Sequence, residues 1–179
     1  MKKIHDKQIN ITIDKLNRKK ELTINDYDVL NHILTINSRY IKFKFKLNIK
    51  LCIYISELYE CCSEERLKWL KLAEEVCLEN SSKKMENLLN FKIGKYYYYC
   101  RNYDNGILEN SKKYFDMVKH AIPDALYYLG CILMIEEVTT KDLGKRNYQE
   151  SYRYLKVAVD RGVKDAEFQR DFVKSLLND

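Results

Sequence analysis

Few side chains of this chain are spaced for covalent chemistry. The three histidines, His5, His32 and His120, lie far apart in sequence, and a metal site would need them to converge with cysteines or carboxylates. The six cysteines (Cys52, Cys61, Cys62, Cys77, Cys100 and Cys131) contain no Cys-x-x-Cys pair, and adjacent Cys61 and Cys62 do not form a standard ligand pair. They fall mostly on apolar stretches, where free cysteine behaves as a small buried hydrophobe. Reduced thiols in a cytoplasmic protein are therefore expected, of a bacterium or, for a viral chain, of its host. Glu64-Glu65 and Glu136-Glu137 read as solvated helix ends. There is no glycine-rich phosphate loop, no His-Glu-x-x-His and no nucleophile elbow. The expectation is a protein with no catalytic residue, no metal, no cofactor and no small-molecule substrate.

The residue types that remain are suited to binding. The chain holds 15 Tyr, four of them in the run Tyr96 to Tyr99. Tyrosine offers large contact area and a hydroxyl, which favours it at interfaces, and its ring also stacks on bases of a single strand. Charge is the second feature. Residues 1–50 hold 12 Lys/Arg and 5 Asp/Glu, whereas 51–179 hold 20 and 21. The net charge of +6 thus arises in the N-terminal block, where Lys42, Lys44, Lys46 and Lys50 form a basic patch. Such a block speeds association with acidic partners and invites nucleic acid, or simply keeps the surface soluble. It has only Arg18 and Arg39 and no Gly, so the arginine forks and interleaved glycines of many nucleic-acid binders are missing. Lysine outnumbers arginine 24 to 8, which reads as the coding bias of an AT-rich genome.

These residues have to be positioned by helices. With 5 Gly and 1 Pro in 179 residues, turn-rich β folds are disfavoured, and the length suits one domain. No apolar stretch follows the charged start, and no window of about 18 apolar residues exists, so neither a signal peptide nor a membrane span is expected. Ile9-Asn10-Ile11-Thr12-Ile13 alternates, as in a short strand or an ordered arm. Thr23 and Asp26 form a variant capping box that opens a helix with Tyr27, Leu30, Ile33 and Leu34 on one face. From Lys42 to Ile55 the pattern is open. Its period of two argues for a strand, while Phe43, Leu47, Leu51, Tyr54 and Leu58 make a helical stripe; helix is preferred. Further helices are expected at 64–78, 84–101, 108–120, 123–137, 147–161 and 164–177. Pro123 starts one of them and Gly162 stops another.

One frame occurs twice in the C-terminal half. Leu89, Ile93 and Gly94 are followed by Asn110, Tyr114, Met117, Ala121 and Ala125. Ala125, Leu129 and Gly130 are followed by Ser151, Tyr154, Leu155, Ala158, Gly162 and Ala166. Ile93-Gly94 and Leu129-Gly130 recur 36 residues apart, a period typical of helical repeat arrays. Ala125-Leu126-Tyr127-Tyr128-Leu129-Gly130 and Ser151 to Gly162 resemble the Sel-one-like repeats, relatives of the tetratricopeptide repeats. The resemblance spans about residues 64–179, with Arg66, Trp69, Leu70 and Ala73 as a degenerate earlier unit. It implies an all-α fold, a short α-solenoid of antiparallel helix pairs with a divergent N-terminal segment. Residues 1–40 would be a basic arm and helix, and 41–179 the array, with pairs at about 41–79, 84–121 and 123–161. A helix at 164–178, with Arg170-Asp171 in place of Leu-Gly, would be a polar cap.

In such an array Gly94, Gly130 and Ala158 would sit where helices cross. The first helix of each pair lines the concave face, which places Phe91, Lys95, Tyr98 and Tyr99 in one unit beside Asp124, Tyr127, Cys131 and Met134 in the next. The family has no common catalytic residues. The function implied is a protein-interaction scaffold binding one partner through this groove, as an inhibitor, immunity or host-interaction protein would. Nucleic-acid or nucleoprotein binding through residues 1–50 is the alternative.

Overall fold

The computed structural model describes residues 6–18, 20–35, 49–80, 82–100, 105–140 and 146–178. These residues form nine α-helices and no strand: α1 Asp6–Asn17, α2 Ile24–Thr35, α3 Ile49–Ser56, α4 Glu64–Asn80, α5 Lys83–Tyr99, α6 Asn105–Val118, α7 Pro123–Thr140, α8 Arg146–Asp160 and α9 Ala166–Asn178. The all-α class follows the patterning. The chain divides into two compact units, residues 1–89 and 90–179.

In the first unit α1 replaces the expected arm or strand. Ile9, Thr12, Ile13 and Leu16 are buried, at the i, i+3, i+4, i+7 spacing of one helical face. Ile11, which alternation would have buried, is 47% exposed. Thr12 takes the inner position because its hydroxyl donates to Asp26 Oδ1 at 2.9 Å. Asp26 is also the third residue of α2. The Thr23 N–H and the Thr23 hydroxyl each donate to its Oδ2 at 2.7 Å, which is the return arm of a capping box. Lys15 of α1 donates to both carboxylate oxygens at 3.0 and 2.8 Å. One carboxylate therefore caps α2 and ties α1 to it. Val29, Leu30 and Ile33 of α2 are buried.

The segment that read as strand or helix is helical in α3. Ile49, Leu51, Cys52, Ile53, Ile55 and Ser56 are all buried, so apolar residues occur at both periods because the helix is covered nearly all round. Burial pushes the Cys52 thiol up to about 12. Helix α3 packs on α4 and α1. The Ser63 hydroxyl accepts the Arg66 N–H at 3.2 Å and caps α4. Trp69, Leu70, Leu72 and Ala73 form its buried face, with Leu67 and Val76 half-buried.

The second unit uses one contact twice. The Ser111 hydroxyl of α6 donates to the Gly94 carbonyl of α5 at 2.9 Å, and the Ser151 hydroxyl of α8 donates to the Gly130 carbonyl of α7 at 2.7 Å. A helical carbonyl has a second lone pair for such a bond. One turn further along, Phe115 and Leu155 cover the glycines. A Cβ on Gly94 would lie 2.9 Å from Phe115 Cε1, and one on Gly130 would lie 2.6 Å from Leu155 Cγ. Glu137, seven residues past Gly130, accepts the N–H of Asn147, four residues before Ser151, so α7 and α8 run antiparallel. Ala158 is fully buried beside Leu155, Ala166 and Val173. The glycines and this alanine stand at close helix contacts, as the repeat frame predicts.

The register of that frame needs a correction. The residues of α6 that match Ser151, Leu155 and Ala158 are Ser111, Phe115 and Val118, all buried, rather than Asn110, Tyr114 and Met117. Met117 is 56% exposed. Seven residues separate Val118 from Ala125, whereas eight separate Ala158 from Ala166. The extra residue is Gly162. It adopts φ +87°, and Gly162 N–H to Val159 O with Val163 N–H to Ala158 O closes a Schellman motif. After α6 the chain turns through Ala121 and Ile122, whose N–H groups both reach Val118 O at 2.9 Å.

Two outcomes are expected. Gly130→Ala loses about 1–3 kcal/mol in urea unfolding through overpacking on Leu155, while Gly162→Ala, with no atom within 4 Å of its Cβ, loses about 1 kcal/mol through backbone strain alone. For Asp26, burial alone would raise the carboxyl; the bonds from Lys15, Thr23 and Thr12 outweigh it and hold it well below its ordinary 3.8. A lowered folded-state value stabilises the fold above the unfolded value and is lost as pH falls through the folded one. Asp26→Asn is therefore expected to cost about 1–3 kcal/mol at neutral pH, and the gap to the native chain should close progressively below about pH 4. A gap independent of pH would remove the charged network from the account.

Candidate interaction site

Phe91, Lys95, Tyr98 and Tyr99 lie on one stripe of α5, at the spacing that shares a helix face. Helix α7 adds Tyr127 and Tyr128. The hub of the group is Tyr128. Its ring stacks on Phe115 at 4.8 Å and 7° and meets Tyr98 at 5.0 Å, Tyr127 at 5.2 Å and Phe91 at 5.9 Å. These three contacts are edge-on, which the ring quadrupoles favour. The Tyr128 hydroxyl lies 3.2 Å from that of Tyr99. Lys95 Nζ sits 5.7 Å from the Tyr99 ring centre, 5.8 Å from Tyr128 and 6.0 Å from Phe91, within cation–π range of all three.

Five of the expected groove residues are thus brought together: Phe91, Lys95, Tyr98, Tyr99 and Tyr127. Two are not. Asp124 is exposed on the first turn of α7, outside these ring contacts. Met134 packs on the core of Leu126, Leu155, Ala158, Ala166 and Val173, and Cys131 is buried. Part of the stripe belongs to the core. Phe91, Tyr98 and Tyr128 pack against the buried cluster of Phe115, Val118, Ala125, Leu129 and Ile132. Tyr99, 43% exposed, and half-buried Lys95 carry the side turned to solvent. Tyr97 is half-buried and stacks on Tyr114 at 5.9 Å and 21°, whereas Leu133 is buried. Sequence reasoning missed Tyr128. The signal was present, since Tyr128 follows Asp124 by four residues on the same stripe.

Burial is the main cause that pushes the Tyr127 and Tyr128 phenols well above their ordinary value of 10.0. Cys131 adds to it at Tyr127, and the Tyr99 hydroxyl adds to it at Tyr128. These hydroxyls stay protonated through the whole neutral range and serve as hydrogen-bond groups.

Of the basic patch, Lys50 is exposed on α3, while Lys42, Lys44 and Lys46 lie outside the described residues. Among the described residues no three His, Cys, Asp or Glu side chains are grouped to hold a metal, and no helix is long and apolar enough to cross a membrane. None of the six cysteines is joined to another in a disulfide. Compared with protein-family models, with curated proteins and with solved structures, the chain matches none.

Spectrophotometric titration of the phenols checks the cluster. Part of the tyrosinate absorbance should appear only well above about pH 10, and that late phase should shrink in Tyr128→Phe. A single phase near the free-tyrosine value would mean that the cluster is open to water.

Proposed function

We propose that this chain is a non-catalytic protein-interaction scaffold, a short Sel-one-like helical-repeat module that binds one protein partner and acts in the cytoplasm as an inhibitor, immunity or host-interaction protein. The observation that carries the proposal is Lys95 held over Phe91, Tyr99 and Tyr128 while Tyr99 remains 43% exposed. An ammonium fixed on rings has given up some of its water and rotamer freedom before a partner arrives. Tyrosine anchors add contact area at low entropic cost. A partner carboxylate beside Lys95, with an apolar side chain on Tyr99, would use both. The contact of Ser111 with Gly94, repeated by Ser151 with Gly130, supports the repeat reading. Six cysteines with no disulfide among them fit a reducing compartment.

The test is capture of partners by the tagged chain, with and without nuclease, compared with Tyr99→Ala and Lys95→Ala. Both side chains reach solvent, so the fold should persist. One stoichiometric protein that survives nuclease and binds at least tenfold more weakly to either variant is the expected result. Capture that disappears with nuclease, falls steeply with salt and is lost on Lys50→Glu would overturn it in favour of nucleic-acid binding through residues 1–50.

A further inference from the structure

Two adjacent thiols stand in the turn between α3 and α4. The Ser63 N–H donates to the Glu60 carbonyl at 3.1 Å, which makes Cys61 and Cys62 the two central residues of a β-turn. Cys61 is the one exposed cysteine, Cys62 is half-buried, and Cys52, Cys100 and Cys131 are buried. Ser63 fixes the far side of the turn. Its hydroxyl donates to the same Glu60 carbonyl at 3.1 Å and accepts the Arg66 N–H that opens α4.

Arg66 completes the arrangement. Its Nη1 lies 3.8 Å from Cys61 Sγ and also donates to the Tyr59 carbonyl at 3.4 Å. Its Nε is buried and has no acceptor among the described residues. The guanidinium thus holds its positive charge, with a donor unspent, beside the most accessible sulfur of the chain. Oxidation of cysteine is selective for accessible sulfurs beside a cationic group, and a sulfenic acid with a second thiol in reach condenses to a disulfide.

We propose that Cys61 and Cys62 form a redox modification site whose oxidant is a hydroperoxide, hydrogen peroxide being the simplest. The Cys61 sulfur attacks one peroxide oxygen. An S–O bond forms and the O–O bond breaks. The departing hydroxide, met by the Arg66 guanidinium, takes the Cys61 proton and leaves as water. The Cys62 sulfur then attacks the Cys61 sulfur. The S–S bond forms, the S–O bond breaks, and the hydroxide leaves with the Cys62 proton as a second water. The two sulfurs are oxidised by two electrons and the peroxide is reduced by two. Adjacent Cα atoms lie about 3.8 Å apart, below the roughly 4.4 Å at which disulfides normally begin. The ring is therefore strained and readily reduced, which suits a reversible switch. Closing it re-aims the peptide spanned by the bond from Ser63 to Glu60, and so loosens the capped start of α4. The site does not rest on the function proposed for α5 and α7.

The test treats the folded chain with hydrogen peroxide, alone and with a cyclic dione that traps sulfenic acids. Cleavage after glutamate then releases Cys61 to Glu64 for mass spectrometry. In the native chain this peptide should lose two hydrogens and regain them with a dithiol reductant. Cys62→Ser should carry the dione on Cys61, and Cys61→Ser should neither link nor carry it. Arg66→Gln should slow the reaction about tenfold, the rate equivalent of one hydrogen bond to the charged leaving oxygen. Thermal unfolding checks that each variant is folded, and the oxidised native chain should melt below the reduced one. A peptide that keeps its hydrogens overturns the proposal. So does oxygen added to Cys61 with no link to Cys62, a link from Cys61 to another chain, or half-buried Cys77 reacting as fast as Cys61.

Discussion

The second unit depends on how closely two helices can approach when one of them presents no side chain. At Gly94 and Gly130 the neighbouring helix comes so near that a Cβ would overlap Phe115 or Leu155. The proximity does more than fill space. It brings a serine hydroxyl within reach of the glycine carbonyl, at 2.9 and 2.7 Å. A buried hydroxyl without a partner would be costly, so serine at 111 and 151 and glycine at 94 and 130 require each other. The large residue one turn past each serine seals the contact from water. Dispersion gains from close packing follow from the same approach.

Polar atoms organise the first unit as well, but by charge. Asp26 accepts from Thr12, Lys15 and Thr23, so its buried carboxylate is neutralised and its lone pairs are engaged. That arrangement makes burial tolerable. It also explains the order of residues on α1. The helix turns a threonine inward and an isoleucine outward because the threonine completes the ring of donors around Asp26. The apolar residues Ile9, Ile13 and Leu16 then follow the helical period around it.

The aromatic face of α5 and α7 inherits its geometry from the glycine contact. Phe115 covers Gly94, and Tyr128 stacks on Phe115. Tyr128 in turn orients Tyr98, Tyr99 and Lys95. A structural packing element therefore runs without a break from the buried crossing to the half-exposed ammonium. The inner rings are rigid because they belong to the core, and only the outermost, Tyr99, is free to meet a partner. Rigidity of this kind lowers the entropy lost on binding.

Much of the fold was legible in residue types and spacing. The scarcity of Gly and Pro, the capping residues Thr23 and Ser63, Pro123 at a helix start and Gly162 at a helix end each act locally, through backbone bonds a few residues long. The small residues at 94 and 130 were legible too, because period and size together mark a crossing. The stripe Phe91, Lys95, Tyr98 and Tyr99 follows from the helical period alone. Residues 49–56 resisted because a helix buried on nearly every side satisfies both periods at once. The register of α6 resisted because a turn can gain one residue at Gly162 without altering the helices on either side, and no local signal shows that loss or gain. Whether a tyrosine stripe becomes groove or core is a matter of what packs behind it. Phe115 and Leu129 are distant in sequence from Phe91, and only the folded chain brings them beneath it. The sequence by itself determined α2, the helices from α4 onward and the glycines at their crossings, since caps, helical period and residue size act within a few turns, whereas α1 and α3 were decided by what covers them. The tertiary structure alone decided that Asp26 gathers donors from α1, that Tyr128 is the hub of the aromatic face and that Phe168 and Phe172 are exposed on α9. Each of those depends on distances between residues that the chain does not place side by side.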